Sequence, residues 1–138
     1  MDEGSNTARN LISDAAGKNV IFNIIRIDTK DGGNQDGYYP DTNTLAWDPF
    51  SGVTFTQNGQ SISVEPIMAL AHELAHAVYG SSEDKAMATA NQIAKEMNES
   101  FGSSYYSNRT VYGQGSYFNT DSIDSKDYSI SRGDASCK

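Results

Sequence analysis

The chain has 138 residues, enough for one domain around a single core. Apolar residues make up 37% and charged residues 20%, with a mean hydropathy of -0.57; this predicts a modest core and long polar loops. Acids outnumber bases 18 to 10, a net charge of -8, and no basic stripe exists to displace counterions from phosphates, which argues against nucleic acid as a partner.

Residues 10–18 read as one short helix ending at Gly17. Residues 20–28, VIFNIIRID, are rich in branched apolar side chains and predict a strand buried on both faces. Gly32-Gly33 marks a turn; it lacks the spacing and Lys-Ser/Thr ending of a phosphate loop. Tyr38, Tyr39, Leu45 and Trp47 suggest a strand pair around Asp41–Asn43. Pro49 to Gly52 reads as a turn, Val53 to Thr56 as a strand, and Asn58-Gly59 as a hairpin returning through Ile62 and Val64. The period then changes. Pro66 suits the first position of a helix that runs to Tyr79, with Gly80 at its end and Ile67, Leu70, Ala71, Leu74 and Val78 as the apolar stripe. A second helix is expected over Ser82–Glu99, capped by a Ser81/Asp84 box, with Ala86, Ala90, Ile93 and Met97 inward. Residues 101–118 read as loops with short strands, and residues 119–138 as a polar tail expected to be partly disordered. The expectation is therefore one α+β domain over residues 1–118, with a short antiparallel or mixed sheet packed on two helices.

No apolar run approaches the 18 residues that a membrane span needs. Residues 1–4 lack the basic region and apolar stretch of a secretory signal. Cys137 is the only cysteine, so an intramolecular disulfide and a zinc site of several thiolates are excluded.

The chemistry sits in the first of the two long helices. His72-Glu73-Leu74-Ala75-His76 is an HExxH motif, and its histidines are the only two in the chain. Positions i and i+4 share one helix face, so two imidazoles can grip one zinc ion from the same wall. Glu73, beside the metal, can take a proton from a zinc-activated water and return it to a leaving amine. A third protein ligand is required and no histidine remains, so a carboxylate must serve. Glu83 follows Gly80 within one short loop; Glu96, twenty positions beyond His76, and Asp84 are the alternatives. Tyr105, Tyr106, Arg109 and Tyr112 follow the second helix and carry groups suited to a developing oxyanion. Asp48 and Asp41 are candidates to orient the imidazoles through their outer nitrogens.

The stretch from Tyr38 to about Tyr112 resembles the effector-type zinc metallopeptidases of bacteria, the NleD-like type III secretion effectors and related polymorphic-toxin domains. The resemblance runs through Asn43-Thr44-Leu45-Ala46-Trp47-Asp48-Pro49, then Glu65 to Ala77 around the HExxH core, then Glu83-Asp84-Lys85-Ala86 with Asn91-Gln92-Ile93, and then Arg109 and Tyr112. It implies a zincin-like fold, Zn2+ on His72 and His76, Glu73 as general base, and Arg109 and Tyr112 as catalytic candidates. Where members carry a glutamate before the second-helix asparagine, Ala90 stands here, so Glu83 and Glu96 both stay open as the third ligand. The resemblance further implies a protein substrate, delivery by a non-classical bacterial route with the host cytoplasm as a destination, and a cognate immunity or host target protein. A non-catalytic metal-binding interaction module is the competing expectation.

Overall fold

The computed structural model describes residues 4–27, 36–80 and 82–110, and the backbone of residues 116–119. Helix α1 (Asn6–Gly17) opens the chain, capped by Ser5, whose side chain accepts from the Ala8 amide. It starts four residues before the predicted boundary, because that cap and a carboxylate from a distant helix extend its first turn. Strand β1 (Asn23–Arg26), strand β2 (Gly37–Tyr39), a 3-10 turn (Pro40–Thr42) and strand β3 (Thr44–Trp47) form one sheet in the order β1-β3-β2, β1 parallel and β2 antiparallel to β3. Asn43, in the left-handed region at φ 47°, carries the chain from the turn into β3. Strands β4 (Ser51–Gln57) and β5 (Gln60–Val64) form the expected hairpin through Asn58-Gly59, both at positive φ. Strand β6 (Ser116–Asn119) pairs antiparallel with the other side of β4, giving the order β5-β4-β6.

Two helices follow the hairpin: α2 (Pro66–Tyr79) and α3 (Glu83–Phe101). The described chain is thus α+β, with a mixed and an antiparallel sheet. Among the described residues, no helix is long and apolar enough to cross a membrane.

The core joins α1, α2, α3 and the hairpin through Leu11, Phe55, Val64, Met68, Ala71, Ala75, Val78, Ile93 and Met97. Alanines at 8, 71, 75, 86 and 94 let the three helices approach closely. Trp47 pins the mixed sheet to the start of α2, its indole N–H donating to the Pro66 carbonyl at 2.8 Å. The Tyr79 hydroxyl donates to Asp14 on α1 at 2.8 Å, and Lys85 of α3 lies over the Tyr79 ring.

Three sequence expectations are corrected. Strand β1 is exposed along its whole length, with Ile24 61% and Ile25 47% accessible, because it is an edge strand and, among the described residues, no helix covers its apolar side chains. The buried face of α2 is Met68, Ala71, His72, Ala75 and Val78; Ile67, Leu70 and Leu74 are only partly buried. The helix touches the hairpin strand on one side and the mixed sheet on another, so a single-stripe pattern misplaces its inner face. The cap of α3 is Ser82, which accepts from the Lys85 amide, not Ser81. The last strand ends at Asn119; the predicted tail beyond it, Gly32-Gly33, Tyr112 and Cys137 lie outside the described residues.

Ile93 is fully buried where α3 meets the other helices. Ile93→Ala should lower stability by about 2–4 kcal/mol in denaturant melts, whereas Ile12→Ala, at a 41% exposed site on α1, should cost about 1 kcal/mol or less.

Candidate metal centre

The i, i+4 spacing on α2 brings the His72 and His76 rings edge to face, with their centroids 4.8 Å apart. Their Nε2 atoms lie 3.2 Å from each other. The helix stops at Gly80, whose backbone (φ 102°, ψ -176°) is one that essentially only glycine adopts. That turn starts α3 beside the end of α2 and points Glu83 back at the histidines. Glu83 Oε1 lies 3.1 Å from His76 Nε2, and Oε2 lies 3.2 Å from His72 Nε2. Donor atoms of these three residues all fall within 4.8 Å of one another, and the group could hold a metal ion.

Protonation chemistry makes the convergence informative. His76 Nδ1 is 3.3 Å from the Gly80 carbonyl, which can accept from it, while Nε2 faces Glu83. Burial drives the His72 pKa down to about 4, outweighing the opposing pull of Glu83, so at neutral pH this ring is uncharged and can offer a lone pair to a metal. Glu83 is 48% exposed while His72 and His76 are nearly covered, so the group opens to solvent on the Glu83 side.

Glu73 is half-buried and outside this ligand group. Burial, then the charges of Glu83 and Asp36, push its pKa up to about 7, against His76 and a hydrogen bond from the Tyr38 amide. A carboxyl poised there exchanges a proton readily near neutral pH. Tyr38 belongs to β2, the edge of the mixed sheet, so one main-chain bond ties the sheet edge to the motif glutamate. Asp36, just before β2, is pushed up to about 6 by burial and accepts from the Asp48 amide at 2.8 Å.

The rival ligands are placed elsewhere. Glu96 lies thirteen residues along α3 from Glu83, roughly 20 Å by helical rise, and accepts from the Thr7 amide at 3.1 Å at the start of α1. Burial acts to raise its pKa, but that bond and its neighbours hold it below the usual carboxylate range. Asp84 is exposed and rotated by about 100° from Glu83 around the helix. Asp48 Oδ1 accepts from the Phe50 amide at 2.9 Å, and Asp41 is exposed in the 3-10 turn. The partner of the outer His76 nitrogen is the Gly80 carbonyl, which no sequence pattern announces.

Arg109 does reach the site's surroundings. Its guanidinium stacks over the Phe55 ring at 4.1 Å, and its charge acts on His72, Glu73 and Glu83. Tyr105 instead bonds Glu65 at the cap of α2, and Tyr106 packs against the core; Glu65 lies about 10 Å up the helix axis from His72.

No family model matches the chain, and neither does any curated protein or solved structure.

Two outcomes follow for the metal-free and metal-loaded protein. Glu83→Ala should weaken zinc binding at least about tenfold in a chelator competition, while Glu96→Gln should leave it unchanged and cost about 1 kcal/mol of stability. In the metal-free chain, Glu73 binds its proton more tightly when folded than when unfolded. Its contribution therefore falls as pH rises from about 4.5 to about 7, and Glu73→Gln should remove roughly 1–3 kcal/mol of that fall in denaturant melts at the two pH values.

Proposed function

We propose that the chain is a zinc-dependent endopeptidase with a zincin-like arrangement, related in kind to the bacterial effector metallopeptidases that its motif region resembles. The observation that carries this reading is the convergence of two imidazoles, one of them kept neutral by burial, and one carboxylate, with a separate half-buried glutamate of pKa about 7 next to them. Three protein ligands, open on one side, are the number a catalytic zinc site uses, whereas a structural site uses four.

His72, His76 and Glu83 would hold the ion. Bound there, zinc would supply Lewis acidity toward a carbonyl oxygen and acidify water. Glu73 takes the proton that water loses as it attacks the carbonyl carbon and holds it as the neutral acid. It then gives the proton to the departing amine, which breaks the peptide bond and restores the carboxylate. The Tyr38 amide keeps that carboxyl in place throughout. An extended protein substrate is the partner class that this chemistry requires. Arg109 supplies positive charge on the same side. The resemblance also supports translocation by a non-classical bacterial route, a host-cell or competitor target, and a cognate immunity protein.

Glu73→Gln should retain zinc at wild-type affinity and lose cleavage of a broad protein mixture by at least about 100-fold. Undiminished cleavage by the zinc-loaded variant sinks the mechanism. Zinc uptake without cleavage by the wild type on any protein mixture would favour the interaction module.

A further inference from the structure

The segment after α3 is held by side chains in place of a strand partner. Asn91 Nδ2 donates to the Arg109 carbonyl at 2.6 Å, and the Arg109 amide donates back to Asn91 Oδ1 at 2.8 Å. One heptad along the same helix, Asn98 does the same to Tyr106, at 2.8 and 3.0 Å. From the hairpin side, Gln57 donates to the Asn108 carbonyl at 3.2 Å and accepts from the Thr110 amide at 2.6 Å. Three carboxamides thus each grip the main chain with both a donor and an acceptor. A carboxamide is suited to this because its O and NH2 sit side by side, as a peptide's own groups do across a ladder.

The two-point grip matters most at position 109. A guanidinium on a flexible stem can sweep several ångströms, and each such side chain loses conformational entropy when held. Here its main chain is fixed by Asn91 and its plane by the Phe55 face 4.1 Å away. Phe55 is itself buried in the core of the hairpin. The charge is therefore placed by the scaffold, not by solvent.

We propose that Asn91 is the positioning residue for Arg109: its amide grips the Arg109 main chain at both polar groups and so fixes where the guanidinium charge stands beside the metal centre. The inference rests on His72, His76 and Glu83 being a metal centre and does not require that the chain cut peptides. Asn91 touches neither the reacting atoms nor the ligands in this account; it acts through Arg109.

The test is a double-mutant cycle on zinc affinity in the full chain. A cation held near a dication opposes its binding, so Arg109→Met should bind zinc roughly fivefold tighter at low salt, the scale of one charge acting on a dication through solvent. Asn91→Ala, which keeps a strong helix former in α3, should shift affinity in the same direction by at least about twofold. The double variant should be no tighter than Arg109→Met alone. Both gaps should shrink at about 1 M salt, which a merely structural loosening would not produce. In metal-free protein, exchange of the Arg109 amide should speed up about tenfold in Asn91→Ala. Unchanged exchange, wild-type zinc affinity in Asn91→Ala, or effects that multiply in the double variant would overturn the proposal. A wild-type chain that takes up no zinc overturns it together with the metal centre, whereas one that binds zinc and cuts nothing sinks the peptidase reading alone.

Discussion

Everything around the site depends on how α2 is allowed to end. A helix that presents two imidazoles from one turn needs a third donor from a different element, and that element must return within a few residues. Gly80 makes this possible by taking a backbone conformation closed to side-chain-bearing residues. Its carbonyl lies 3.3 Å from His76 Nδ1 and so helps to orient that ring. One residue therefore sets the path of the chain toward Glu83 and borders the outer nitrogen of His76. Ser82, capping α3 immediately afterwards, fixes the phase of the helix that carries Glu83.

The burial of α2 adds a second constraint. Its inner face holds Met68, Ala71, Ala75 and Val78 against the core, and His72 belongs to that same buried face. An imidazole placed there loses hydration, which keeps it neutral and disposed to donate a lone pair. His76, one turn on, is less covered, and Glu83 is half exposed. The three donors thus form a gradient from core to solvent. The histidines are oriented by packing, and the carboxylate borders the side open to solvent.

What could be read from the chain alone divides along physical lines. Local signals were strong for the hairpin at Asn58-Gly59, for the boundaries of α2 and for the HExxH face, because turn chemistry and helical periodicity act over a few residues. Glu83 could be ranked above Glu96 from loop length, but the reason that removes Glu96 is tertiary: it caps α1, eighty-nine positions away in sequence. The expected burial of β1 failed because apolar content does not reveal whether a helix will cover a strand. The inward stripe of α2 was misplaced for a related reason, since a helix packed on several sides has no single apolar face. The grip of Asn91, Asn98 and Gln57 on residues 106–110 leaves no trace in composition, as these residue types are usually solvated.

The electrostatics of the site argue in the same direction as its geometry. Glu83 and Asp36 both act on Glu73, inside a chain that already carries a net charge of -8. Burial first, and then these charges, raises Glu73; burial raises Asp36; holding both carboxyls there costs folding free energy at neutral pH. A structural role alone gives no reason to accept that cost, because apolar side chains of similar volume would pack the same space more stably. A dication among the ligands would offset the repulsion and draw Glu73 toward its ionised form, the form that accepts a proton. Arg109 moderates the same field from the other side, stacked on Phe55 and gripped by Asn91. The cluster is therefore an acidic group beside one scaffold-held cation that could hold a metal ion and opens to solvent at Glu83.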